Sequence, residues 1–86
     1  MHELSVALEI RRIAEERLAP EDWPYLVAVG LEVGEMSGLE PDNLRFCLDA
    51  VLREPPFTGP RPVIATPPGD ALRVTYLEVD DGRPDD

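Results

Sequence analysis

Apolar residues recur at helical spacing near the start of the chain and predict an amphipathic helix over residues 4–18. Charged side chains occupy its other side, where Arg12 can pair with Glu16 one turn later. Pro20 should end the helix, because proline disfavours helical backbone in the residue before it. The stripe that we expect to face the core consists of Val6, Ala7, Ile10, Ile13 and Ala14.

Alternating bulky and small residues over residues 26–33 predict a β-strand. Its small or polar positions, Ala28, Gly30 and Glu32, suit the solvent side of an open sheet. The opposite face should be covered by helices. That face consists of Val27, Val29, Leu31 and Val33.

A second helix should begin at Glu40-Pro41-Asp42, because proline suits the first helical position and acidic groups favour the positive end of the helix dipole. The prolines at 55 and 56 should end it. Its apolar stripe consists of Leu44, Cys47, Leu48 and Val51, with Phe46 and Ala50 adjoining.

Two further strands are predicted over residues 63–66 and 71–79, joined by the turn Pro67-Pro68-Gly69-Asp70. The alternation in the last strand is imperfect. Leu72, Val74 and Tyr76 share one face, whereas Leu77 and Val79 fall on the other. Either a β-bulge or burial on both faces would explain this pattern.

The element order therefore predicts an α+β fold, a small three-stranded mixed sheet with two helices packed on one face. We expect a single domain over residues 1–79 and an acidic, disordered tail over residues 80–86. Exposed strand edges around so thin a core would allow a homodimer.

The formal net charge of −10 argues against binding to nucleic acid and to anionic membranes, both of which require an excess of Lys and Arg. The first residues lack the basic-then-apolar layout of a signal peptide, so we expect a cytoplasmic protein. The single cysteine, Cys47, lies in the apolar stripe of the second helix and is expected to be a small buried hydrophobe. No nucleophile–base set or phosphate-binding glycine loop indicates an enzyme.

The chain begins Met1-His2-Glu3, and His2 is its only histidine. The amine of Met1, the backbone nitrogen of His2 and the His2 imidazole can chelate a metal in one plane. Such nitrogen coordination suits Ni(II) or Cu(II). Met1 should be retained, because its removal favours a small second residue. The alternative is a frayed, solvated chain end.

Separate blocks of the chain follow one another in a recognisable order, namely Met1-His2-Glu3-Leu4-Ser5, Ile13-Ala14-Glu15-Glu16, Leu31 to Ser37, Leu39-Glu40-Pro41 and Leu44 to Val51. Together they resemble the nickel-binding half of the hydrogenase nickel-incorporation accessory family, HypA. The residues from Leu72 to Val79 resemble the last strand of that family.

The resemblance implies a cytosolic nickel metallochaperone that assists nickel–iron hydrogenase, or urease in some organisms, together with a nickel-handling GTPase. The partners it implies are that GTPase and the precursor of the hydrogenase large subunit. Its nickel ligand matches His2, assisted by backbone nitrogens that include that of Glu3. An acidic side chain implicated in at least one member matches Glu40, although a glutamate near a helix start is also favoured by the dipole.

The family normally carries two Cys-x-x-Cys pairs between its last two strands, and here residues 67–70 join the predicted strands directly. A structural zinc site needs four ligands of this kind, so we expect no structural zinc. Two hypotheses stay open. The chain could deliver Ni(II), or it could be an interaction module that docks on a maturation partner without binding metal.

Overall fold

A computed structural model describes residues 3–80 of the chain. The elements in order are helix α1 (Glu3–Arg17), a 3₁₀ helix (Pro20–Tyr25), strand β1 (Leu26–Val33), helix α2 (Pro41–Val51), strand β2 (Arg61–Ala65) and strand β3 (Leu72–Val79). The α+β prediction is confirmed. The 3₁₀ helix was not predicted from the sequence, and β2 begins two residues earlier than predicted.

β1 is the central strand of a three-stranded mixed sheet with the order β2-β1-β3. It pairs in parallel with β2, from Ala28 opposite Arg61 to Glu32 opposite Ala65. It pairs in antiparallel fashion with β3, from Leu26 opposite Val79 to Val33 opposite Leu72. β2 and β3 are therefore the two edge strands of the sheet.

The core lies between the two helices and one face of the sheet. Its buried residues come from α1, α2 and β1 and from Leu39 in the loop before α2, and Leu52 and Phe57 join it from the connection after α2. The sequence pattern did not identify these last two, because they belong to no periodic element. The buried core consists of Val6, Ala7, Ile10, Ala14, Leu26, Val29, Leu31, Val33, Leu39, Leu44, Leu48, Val51, Leu52 and Phe57.

The predicted orientation of Val27 was wrong. Val27 is an extra residue in β1, because Leu26 pairs with Val79 and Ala28 pairs with Glu78. This bulge turns Val27 toward solvent and buries Leu26 in its place. Phe46, expected beside the apolar stripe of α2, is also exposed.

A second bulge explains the broken alternation of β3. Tyr76 pairs with Gly30 and Val74 pairs with Leu31, so Thr75 is the extra residue. The bulge brings Leu77 and Val79 back to the face already occupied by Leu72 and Val74, which is the side covered by the helices. Of the two explanations that the sequence left open, the bulge is the one observed.

An aromatic and cationic stack closes the end of the core near the C-terminus of α2. The rings of Trp23 and Phe57 stack with their centroids 5.9 Å apart. The guanidinium of Arg11 lies 5.0 Å from the centroid of Phe57. Trp23 also donates a hydrogen bond from Nε1 to the carbonyl of Leu18, so it anchors the 3₁₀ helix to the end of α1.

Within residues 3–80, neither helix combines the length and the apolar character that crossing a membrane requires. Residues 81–86, which hold most of the expected acidic tail, lie outside the described part of the chain.

Candidate metal site

The two helices run side by side in the same direction, and their N-termini lie together. At one end, Glu3 in α1 contacts Glu40 and Asn43 at the start of α2. At the other end, Arg11 donates to the carbonyl of Val51 at the end of α2. The start of the described chain is therefore held beside the start of a second helix, which lies about forty residues later in sequence.

The Glu3 carboxylate makes the contacts that join the two N-termini. Its Oε2 accepts a hydrogen bond of 3.1 Å from the backbone N–H of Glu40. Its Oε1 accepts one of 2.8 Å from the side-chain amide of Asn43. We call this set of contacts among Glu3, Glu40 and Asn43 the N-terminal clamp.

Glu40 also belongs to the clamp as the N-cap of α2. Its Oε2 accepts a hydrogen bond of 2.7 Å from the backbone N–H of Asn43, and Pro41 follows in the first helical position. This is the usual way of satisfying a backbone donor that has no partner within the helix. A carboxylate has further lone pairs, so this role leaves Glu40 chemically able to bind a cation.

The clamp lowers the pKa of Glu3 below its ordinary value of 4.5. The largest cause is the hydrogen bond from the N–H of Glu40, followed by bonds from its own backbone N–H and from Asn43. Each of these donors favours the charged carboxylate over the neutral acid. Glu3 is therefore ionised at neutral pH and adds a negative charge next to the N-terminus.

Because the pKa of Glu3 is lower in the folded chain than in the unfolded chain, its ionisation stabilises the fold above pH 4.5. This stabilisation should disappear as the pH falls through the lowered pKa. We expect Glu3→Gln to lower the unfolding midpoint at pH 7 and to have a smaller effect at pH 3. Thermal unfolding followed by circular dichroism measures both. Glu21→Gln is the control, and an equal Glu3→Gln effect at both pH values would contradict the prediction.

Two of the four metal ligands proposed from the sequence, Met1 and His2, lie outside the described residues. The structure brings the other two, Glu3 and Glu40, together through Asn43. In the part of the chain that the structure describes, no group of three or more His, Cys, Asp or Glu side chains could hold a metal ion. A complete metal site in this region would therefore need ligands from the first two residues.

Asn43 was not identified from the sequence, although it lies at the centre of the clamp. Its backbone bonds to Glu40 and its side chain bonds to Glu3. The backbone N–H three residues after the N-cap bonds to the capping side chain whatever the residue is there, so the local signal is the cap at Glu40 and not Asn43. That local signal cannot reveal the second contact, because Glu3 lies 40 residues earlier in the sequence.

Cys47 packs against the core but is half-buried, whereas the sequence predicted a small buried hydrophobe.

The family of the chain is shown by its similarity to known proteins. The model of a family described as "Hydrogenase/urease nickel incorporation, metallochaperone, hypA" matches residues 1–73. A hydrogenase maturation factor HypA from Albidiferax ferrireducens is 38% identical over 78 residues, which cover 91% of this chain and 69% of that protein. The factor of the same name from Azotobacter vinelandii is 38% identical over 71 residues, which cover 83% and 63%.

A further hydrogenase maturation factor HypA, from an Azoarcus species, is 39% identical over 69 residues, which cover 80% of this chain and 60% of that protein. The chain thus spans 60% to 69% of the length of these three relatives. No solved structure shows a significant match. The family match extends over both helices and includes Glu3 and Glu40 of the clamp. The chain therefore belongs to the HypA family of hydrogenase and urease nickel-incorporation metallochaperones.

Proposed function

We propose that this chain binds Ni(II) at its N-terminus and delivers it during the maturation of nickel–iron hydrogenase. The observation that carries the proposal is the N-terminal clamp. It holds the first residue of α1 against α2 through two hydrogen bonds from residues 40 and 43 to the Glu3 carboxylate. The chelating dipeptide Met1-His2 directly precedes this anchored residue.

The ligand chemistry follows from the sequence of the terminus. The Met1 amine, the His2 backbone nitrogen and the His2 imidazole supply planar nitrogen coordination for Ni(II). The backbone nitrogen of Glu3 can join them once its N–H loses its proton and the hydrogen bond that it donates to the Glu3 carboxylate, because no carbonyl within the helix accepts from it. Glu40 adds a negative charge and a candidate oxygen ligand. Nickel is the cargo of this site, so ligands at a chain end suit a carrier that must release it.

The partners proposed for delivery are a nickel-handling GTPase and the precursor of the hydrogenase large subunit, in the cytoplasm. We further propose that the chain carries no structural zinc. Only six residues, 66–71, connect β2 to β3, and the whole sequence contains one cysteine where a four-thiolate zinc site needs four.

Titration of the untagged chain with Ni(II) tests the nickel proposal. We expect one equivalent to produce the absorption band of planar nickel–nitrogen coordination. His2→Ala should abolish the band, and so should one extra residue in front of Met1, because each change removes a ligand of the chelate. Binding should weaken below about pH 6.5, where an ordinary imidazole becomes protonated.

Cys47→Ser is the matched control, because it removes the one thiol of the chain, which could bind metal away from the terminus, and it should leave the band intact. A band that persists in His2→Ala would contradict the proposal. The absence of nickel binding in the unmodified chain, with docking to the maturation partner retained, would instead support the interaction module.

A further inference from the structure

The two edges of the sheet differ in how they are protected. β2 is short, contains Pro62, which has no N–H to donate, and its Pro62 carbonyl accepts a hydrogen bond of 2.9 Å from Arg45. Prolines and nearby charged side chains are common ways of blocking an edge strand. β3 has eight residues and no proline. The open edge of the sheet is therefore β3.

The helix-facing side of β3 is incompletely covered. No residue of β3 is buried, whereas its partners in β1 at positions 26, 29, 31 and 33 are at most 2% exposed. A groove of about 360 Å³ runs between α1 and β3. Its apolar lining consists of Val6, Ile10, Ile13, Leu31, Leu72 and Val74. An apolar groove along an open strand edge is suited to an added strand, whose side chains can enter the groove while its backbone pairs with the edge.

The bulge at Thr75 gives β3 a symmetrical pattern. On one side of the bulge, Leu72 and Val74 face the helices and flank Arg73 on the solvent side. On the other side, Leu77 and Val79 face the helices and flank Glu78 in the same manner. The strand therefore reads apolar–basic–apolar before the bulge and apolar–acidic–apolar after it.

When a second copy of β3 runs in the opposite direction, its apolar positions lie opposite apolar positions and its acidic position lies opposite the basic one. We propose that a second copy of this chain adds to the edge of β3, antiparallel to it and related by a two-fold axis at the bulge. Leu72 then lies opposite Val79 of the second copy, Arg73 opposite Glu78, and Val74 opposite Leu77. In each of these three pairs both residues lie on the same face of the sheet, as antiparallel pairing requires.

The bulge allows this register, because it places the paired positions on the same face of the sheet. In a regular strand, positions 74 and 77 would lie on opposite faces and could not pair with each other across a two-fold axis. Because Thr75 is an extra residue, both positions face the helices and align with buried residues of β1. Two-fold symmetry makes each contact occur twice, so the interface contains two Arg73–Glu78 pairs.

Other occupants fit less well. Residues 81–86 include no large apolar side chain to fill the groove. The second copy supplies Leu77 and Val79 beside the groove residues Val74 and Leu72, and it also supplies the opposite charges. Repulsion between two chains of formal net charge −10 is screened beyond about 8 Å at 0.15 M salt.

Sedimentation velocity of the full chain over a range of concentrations, at 0.15 M salt, tests the proposal. We expect a monomer–dimer equilibrium for the wild type. Glu78→Arg places like charges opposite each other twice and should raise the dissociation constant by roughly ten- to a hundredfold. The exchanged variant Arg73→Glu/Glu78→Arg restores opposite charges and should recover most of the affinity. Glu21→Arg changes the net charge equally and should not weaken the dimer.

Arg73 also pairs with Glu32 across the sheet, so circular dichroism melts must first show that each variant is folded. Hydrogen exchange of the β3 amides gives a second measurement, because pairing should slow exchange in the wild type at high concentration and not in Glu78→Arg. A wild type that stays monomeric up to about 1 mM would overturn the proposal. A dimer whose affinity is unaffected by Glu78→Arg, or is not recovered in the exchanged variant, would overturn it as well.

Discussion

Replacing Gly34 by alanine is expected to destabilise the fold by about 2–4 kcal/mol. Gly34 is buried at the end of β1, where the connection between β2 and β3 crosses it. An added Cβ would lie 2.4 Å from the carbonyl oxygen of Gly69 and 2.7 Å from the nitrogen of Ala71. Both are backbone atoms, so the methyl group can be accommodated only if the two loops separate.

Separation would break a set of backbone hydrogen bonds that joins these loops. The N–H groups of residues 34, 35 and 36 donate to the carbonyls of Ala71, Pro67 and Gly69, at 2.6, 2.9 and 2.7 Å. Each such bond contributes about 0.5–1.5 kcal/mol, which is the origin of the expected total. The same loop leads into Glu40, so the variant should also loosen the N-terminal clamp.

Urea unfolding of the variant and the wild type measures the Gly34→Ala effect. Gly30→Ala is the matched control, because its Cβ would meet the ring of Tyr76 rather than backbone. That ring is 44% exposed and can turn away, so we expect a clearly smaller loss. Equal losses in the two variants would show that the loop contact does not limit stability.

Replacing Arg11 by methionine is expected to destabilise the fold by about 2–3 kcal/mol, because hydrogen bonds to charged groups contribute about 1.5–3 kcal/mol. Arg11 donates to the carbonyls of Val51, Glu54 and Pro55, at 2.8, 3.3 and 3.1 Å. These contacts hold the C-terminus of α2 and the turn after it against α1. Methionine retains the apolar stem but leaves the carbonyls without this donor.

The neighbouring Arg12 provides the control. It pairs with Glu9 and Glu16 on the solvent side of α1, and the hydrogen bond that Arg12 donates to Glu9 is the largest cause that raises the pKa of Arg12. All three side chains are more than half exposed, and exposed ion pairs contribute little to stability. Thermal unfolding should therefore separate Arg11→Met, with a clear fall in midpoint, from Arg12→Met, which should stay close to the wild type. Similar midpoints would show that the Arg11 contacts are not stabilising.

Local patterns identified most of the secondary structure. The stripe of α1, the alternation of β1 and the Glu40-Pro41 start of α2 each depend on residues within a few positions of one another, so periodicity and capping chemistry are sufficient to predict them. The pair Arg12–Glu16 was predicted for the same reason and is present. The core residue Phe57 was not, because it lies outside any periodic element.

The two bulges could not be located from the sequence. An extra residue in a strand is defined by what lies opposite it, and the register of β1 against β3 joins residues about 40 to 50 positions apart. One bulge exposed Val27 and buried Leu26, against the prediction. The other explained the ambiguous alternation of β3 and produced the face pattern on which the proposed dimer depends.

The sequence by itself determined the element types, the net negative charge, the proposal of metal binding at Met1-His2 and the resemblance to the family, because each depends on residue identity or on short-range spacing. Only the tertiary structure decided that Glu3 and Glu40 share a donor in Asn43, that Arg11 holds the end of α2, and that β3 is the open edge. These contacts join residues far apart in the chain. Their existence depends on how the helices and strands pack, which local preference does not specify.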